Sequence, residues 1–202
     1  HLDLYIGIYR LCRKRWQKMF NIFSSYVSVD NFKFDVKKYK KEILNLKSVK
    51  DTVTKSNYGG WQSGGFETVP KNFKDLFKKI NANVKEVEKK LSLLKKLRLQ
   101  NLWYNVNGLG SFNRPHDHQG AVVSGVYYVS ISKNSGSIVF LNTNLDLYYG
   151  HNIKNYNEYN SSTWKIEPKE NLCILFPSYL RHYVEPNLNK EERISISFNY
   201  GF

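Results

Sequence analysis

The hydrophobic pattern of the chain changes at Gln100, and this change limits the folds open to it. Before that point apolar residues recur at helical spacing; after it they cluster in short runs separated by glycine, asparagine and proline. One helix is expected from about Val36 to Lys47, with Asp35 as N-cap and Val36, Tyr39, Ile43 and Leu46 on one face. A second is expected from about Asn72 to Leu99, along a stripe from Phe73 and Leu76 through Ile80 and Val87 to Leu97. Short β runs then follow at Leu102–Val106, Ala121–Ser132, Ser137–Leu141, Thr163–Ile166, Leu172–Phe176 and Arg193–Asn199. Many short strands at irregular spacing argue for a sandwich or barrel, not a βαβ alternation. The expectation is a mainly β, α+β chain. Residues 1–100 would form an N-terminal extension and helices packing on a barrel, and residues 101–202 the β core, all in one structural domain.

Charge follows the same division. Residues 1–100 carry 23 Lys and Arg against 9 Asp and Glu, while residues 101–202 carry 8 of each, so the net +14 resides in the helical half. Lysines such as Lys37, Lys38, Lys40 and Lys41 read as solvated helix faces. No nucleic-acid-binding module accompanies them, so a nucleic-acid partner is not expected. The longest apolar run near the start, Leu2 to Ile8, is too short to span a bilayer, and a cytoplasmic protein is expected, with a homodimer left open. The single methionine, Met19, suggests that residues 1–18 are an extension dispensable for the fold. Cys12 and Cys173 lie far apart and are expected to be reduced thiols.

Three of the five histidines, His116, His118 and His182, lie near strand ends in the β half. Residues i and i+2 of an extended segment point to the same side, so His116 and His118 can converge on a metal while Asp117 points away. Spacing alone equally suits a surface pair. The last strand alternates Arg193, Ser195, Ser197 and Asn199 with Ile194, Ile196 and Phe198. Its polar face either meets solvent or lines a barrel mouth, where Arg193 would pair with a carboxylate and Ser195 would add a hydrogen bond. Between the helices, Tyr58-Gly59-Gly60-Trp61-Gln62-Ser63-Gly64-Gly65-Phe66 reads as a connector or a flap.

Four blocks, Asn113-Arg114-Pro115-His116-Asp117-His118, Ser124 to Val129, Phe176 to Val184 and Glu192 to Asn199, together resemble the 2-oxoglutarate/Fe(II) oxygenases related to prolyl hydroxylases. The segment Gly59 to Ser63 resembles that family's amino-terminal region, so the likeness runs from about Tyr58 to Phe202. It implies a double-stranded β-helix of the jelly-roll or cupin type. It also implies His116, His118 and His182 as catalytic metal ligands for Fe(II), with O2 and 2-oxoglutarate as co-reactants. Arg193, with Ser195 beside it, would hold the far carboxylate of 2-oxoglutarate; Tyr128 would meet it too, and Asn105 would touch cosubstrate or substrate.

His118 stands where this superfamily more often has a carboxylate, and Asp117 could substitute only through a bulge. A three-histidine set also suits zinc. The expected reaction is hydroxylation of a small-molecule or peptidyl substrate, releasing succinate and CO2. Two alternatives stand beside it: a three-histidine cupin-type dioxygenase that does not use 2-oxoglutarate, and a non-catalytic polyanion-binding protein.

Overall fold

The computed structural model describes residues 24–142 and 153–202. Residues 1–18, with Cys12, lie outside the described residues. Eleven strands and two α-helices are described: β1 (Ser28–Asn31), α1 (Lys37–Lys47), β2 (Asn57–Tyr58), β3 (Trp61–Gln62), α2 (Lys74–Lys90), β4 (Arg98–Asn107), β5 (Phe112–His116), β6 (Val123–Ser130), β7 (Ile138–Leu141), β8 (Thr163–Ile166), β9 (Leu172–Pro177), β10 (His182–Val184) and β11 (Arg193–Gly201). A single 3-10 turn at Lys71–Phe73 leads into α2.

The strands form two antiparallel sheets, one ordered β1-β9-β6-β11-β4-β3 and the other β2-β5-β10-β7-β8. This is the double-stranded β-helix. Three strands from the first hundred residues join it: β1 and β3 edge the larger sheet and β2 edges the smaller.

The period-2 alternation of β11 sorts its side chains between two environments. Ile194, Ile196 and Phe198 face a core shared with Tyr39 and Ile43 of α1 and Leu76, Phe77 and Ile80 of α2. Both helices thus cover the outer face of the large sheet with their apolar stripes, leaving their lysines in water. The opposite face of that sheet looks toward the small sheet, where Val126, Tyr128, Ile174 and Phe176 pack against Ile138 and Phe140.

The N-cap of α1 is Val36, not Asp35, and it makes no side-chain cap hydrogen bond; the Asp35 carboxylate, one residue earlier, accepts the Lys37 N–H at 3.1 Å. The second helix is shorter than its apolar stripe implied. It ends at Lys90, where Ser92 takes φ +52° and its N–H bonds back to the Lys89 carbonyl. Leu94 is then fully exposed, while the Glu88 carboxylate accepts the Leu97 N–H and directs the chain into β4. Cys173 is a buried free thiol, and burial raises its pKa well above the usual thiol range.

Candidate active site

The two sheets enclose a cavity of about 640 Å³. Its large-sheet wall is built by register. Ser195 lies opposite Asn105 on β4 and opposite Tyr128 on β6, so Asn105, Ser195 and Tyr128 form one row across three strands. Arg193 stands one step further along, opposite Asn107. All four sequence-predicted residues, Arg193, Ser195, Tyr128 and Asn105, line the cavity.

Arg193 is almost wholly buried, at 2% exposure. Its Nη1 donates to the carbonyls of Ser135, Gly136 (3.2 Å) and Glu185 (3.2 Å). Its Nη2 has no partner among the described residues. A guanidinium anchored through one nitrogen, with the other buried and unpaired, is set to receive an acceptor, because an orphaned buried donor is costly. Burial lowers the Arg193 pKa, while the nearby Tyr128 hydroxyl opposes that shift. Tyr128 is pushed up to about 12 by burial, against the influence of Arg193, so it remains a neutral donor at physiological pH.

The histidines lie at the other wall. His182 on β10 is paired in register with His116 on β5, and His118 follows just beyond the end of β5. One ligand atom from each of the three lies within 4.8 Å of the others. The His116 Nδ1 lies 2.6 Å from the Arg114 carbonyl, and the His182 Nδ1 lies 2.9 Å from the Leu180 carbonyl. A carbonyl only accepts, so each Nδ1 carries the proton and each Nε2 keeps a lone pair for a metal. Burial lowers all three pKa values, to about 4 for His118 and about 3 for His182, with neighbouring His116 adding to both shifts. Three neutral imidazoles facing one point are the donor set of a transition-metal site. Asp117 is exposed and outside this cluster.

The same cavity holds residues to which the sequence reading gave no site role. Trp103 packs beside His118 with ring centroids 5.7 Å apart, and Ser197 accepts a 3.0 Å hydrogen bond from the Asn105 Nδ2. Their signal was available: Asn101, Trp103, Asn105 and Asn107 alternate along β4 just as the polar residues do along β11. Ser56 lies 3.4 Å from the His116 Nε2. The segment Tyr58–Phe66 is a connector that crosses between the sheets through β2 and β3, and Gln62 and Ser63 line the cavity.

Residues 101–199 match the family model described as "Putative 2OG-Fe(II) oxygenase". The β half of the chain belongs to the 2OG-Fe(II) oxygenases. These enzymes use Fe(II) and 2-oxoglutarate, and both suit the residues present: three converging imidazoles, and a buried Arg193 Nη2 lacking an acceptor among the described residues. The fold agrees with solved structures. A Pseudomonas putida prolyl-4-hydroxylase superimposes with a TM-score of 0.63 at 14% identity, over 87% of this chain and 91% of that one. The viral collagen prolyl hydroxylase of Paramecium Bursaria Chlorella virus-1, in its 2-oxoglutarate complex, gives 0.57 at 13%, over 88% and 97%. HygX from Streptomyces hygroscopicus, with nickel, 2-oxoglutarate and hygromycin B bound, gives 0.58 at 14%, over 88% and 83%. No curated relative matches the sequence. No helix among the described residues is long and apolar enough to cross a membrane.

Proposed function

We propose that this oxygenase hydroxylates a C–H bond of a small-molecule or peptidyl substrate, with His116, His118 and His182 as the iron ligands. The observation that carries this reading is the pairing, in one cavity, of three converging histidines with a buried arginine whose Nη2 has no partner. When bound, iron and 2-oxoglutarate supply the oxidising power: the cosubstrate and O2 yield succinate and CO2, and one oxygen atom enters the substrate's C–H bond.

The chain's own residues hold and orient the reactants. Arg193 would hold the far carboxylate of 2-oxoglutarate through Nη2, and the Tyr128 and Ser195 hydroxyls, opposite each other in register, would add donors beside it. Three carbonyls fix the guanidinium through Nη1, so it meets the carboxylate without reorganising. Asn105 sits between this clamp and Trp103, tied to Ser197, where it faces cosubstrate and substrate. Val126, Ile138 and Phe176 supply an apolar wall that limits water near the reacting centre. The Arg114 and Leu180 carbonyls hold the His116 and His182 rings in the tautomer that leaves Nε2 available.

The clamp argues against a three-histidine dioxygenase independent of 2-oxoglutarate, because that chemistry has no use for a buried carboxylate-binding arginine. Succinate formation and 2-oxoglutarate binding by the iron-loaded protein test the reading. Arg193→Ala should lose cosubstrate affinity and keep metal, whereas His182→Ala should lose metal. Metal retention by His182→Ala, or wild-type 2-oxoglutarate affinity in Arg193→Ala, would overturn it.

A further inference from the structure

The cavity mouth carries donors that neither the histidines nor the cosubstrate clamp employ. Where the chain enters β2 it runs beside β5, with Asn57 opposite Asn113 and the Arg114 N–H bonded to the Ser56 carbonyl at 2.9 Å. This pairing gathers Lys55, Ser56, Asn113 and Arg114 on the rim. Each offers an N–H or O–H. The Asn113 Nδ2 donates to Ser56 Oγ at 3.1 Å, and that hydroxyl lies 3.4 Å from the His116 Nε2. Arg114 is two residues before His116 on the same strand, a separation of roughly 7 Å in extended backbone.

The two cations are uncommitted. Among the described residues the ion pairs are Lys47–Glu192, Lys79–Asp30, Lys89–Glu86 and Lys165–Glu185, none of which involves Lys55 or Arg114. Arg114 is nonetheless positioned, lying over the Tyr58 ring at 5.7 Å, and that ring packs on Phe112 at 5.0 Å. The only carboxylate among the described residues lining the cavity is Asp117, so the mouth has an excess of positive charge. Toward the other end of β11, Asn199 donates to Asn101 at 3.1 Å and accepts from Ser124 at 2.8 Å, a neutral stretch.

We infer that the substrate carries an anionic group, a carboxylate or a phosphate, which Arg114 and Lys55 seat at the cavity mouth within about 10 Å of the histidine cluster. The oxidised C–H bond then lies only a few bonds from that anion. This inference rests on the oxygenase reading above. The clamp at Arg193 is occupied by cosubstrate in the loaded enzyme, so the rim pair is the second anion site, with a separate task.

The test uses protein loaded with Mn(II) and 2-oxoglutarate, titrated with methyl phosphate and with acetate at fixed ionic strength and followed by tryptophan fluorescence. At least one anion should bind saturably, and the preferred anion identifies the substituent. Lys55→Ala/Arg114→Ala should weaken that binding at least tenfold, while Lys37→Ala/Lys41→Ala, exposed on α1, should leave it unchanged. No saturable binding of either anion, equal binding by the rim double variant, or equal loss in the helix double variant would overturn the inference. The underlying reading is measured separately, by wild-type 2-oxoglutarate affinity and its loss in Arg193→Ala.

Discussion

Gly136→Ala tests whether the loop before β7 positions the cosubstrate clamp. Gly136 has φ +83°, a left-handed conformation that costs an L-residue about 1–2 kcal/mol. A Cβ there would also collide with the Glu185 carbonyl oxygen and lie 2.7 Å from the Arg193 Nη1. The carbonyl is backbone and cannot step aside cheaply, so the loop and the guanidinium must move apart, at about 1–3 kcal/mol for overpacking. Stability should therefore fall by about 2–5 kcal/mol. The displaced Arg193 should forfeit a charge-assisted hydrogen bond to the cosubstrate, about 1.5–3 kcal/mol, weakening 2-oxoglutarate binding roughly 10- to 150-fold. Gly110→Ala is the control, because Gly110 shares the conformation at φ +78° yet its Cβ would meet nothing within 4 Å. Calorimetric titration of 2-oxoglutarate into both metal-loaded variants, at a temperature where melting curves show each folded, separates strain from displacement. A folded Gly136→Ala protein within twofold of wild-type affinity, or an equal loss in Gly110→Ala, would refute the reasoning.

Three other perturbations follow from the geometry. His182→Ala removes a buried side chain proposed as a ligand and should lower metal affinity by at least an order of magnitude in a competitive chelator titration, with circular dichroism unchanged. Gly125→Ala should destabilise the chain by about 1–3 kcal/mol in urea denaturation, because a Cβ would strike the Phe198 ring and sit 2.8 Å from the Ile174 carbonyl oxygen. Asp30 has its pKa lowered, first by the Asn83 hydrogen bond and then by Lys79, and so should contribute stability that is present above the ordinary carboxylate pKa and is lost as pH falls through its own depressed value. The pair is solvent-screened, so the effect should stay below about 1 kcal/mol; Asp30→Asn should flatten that part of the urea-midpoint profile between neutral and acid pH.

How much could be read in the sequence depended on how far each signal extends along the chain. β11 was legible because seven consecutive residues alternate, and the structure sends Ile194, Ile196 and Phe198 to the helices and Arg193, Ser195 and Ser197 to the cavity. Alternation alone left the polar face of β11 either in water or at a barrel mouth, and the family resemblance assigned Arg193 and Ser195 to the cosubstrate; the structure buries Arg193 on the cavity wall. β5 and β10 escaped notice because each is short and carries no alternation: Phe112–His116 includes a proline, and His182–Val184 has three residues. Their identity as strands comes from pairing with each other, which is a long-range property. β2 and β3 are two residues each and exist only because their neighbours supply hydrogen bonds. The overlong second helix has a related cause: its stripe continued through Leu91, Leu94 and Leu97, but Ser92 turns the chain.

The ligand set determines what else the site must contain. Burial and mutual proximity keep His118 and His182 neutral well below physiological pH, so the three imidazoles bring no charge to a divalent metal. A site with one carboxylate ligand would offset half of that charge, but Asp117, the carboxylate next in sequence, is exposed outside the cluster. In a cavity walled by Val126, Ile138 and Phe176, an uncompensated double charge is costly, which raises the value of an anionic chelator. In the proposed arrangement 2-oxoglutarate would supply two negative charges, one carboxylate for the metal and one for Arg193. Replacing His118 with Asp in this setting should therefore strengthen metal retention at low cosubstrate while weakening the dependence of metal affinity on 2-oxoglutarate. Metal titrations of both proteins with and without 2-oxoglutarate would show it. Equal coupling between metal and cosubstrate in the two proteins would mean that charge compensation does not link them.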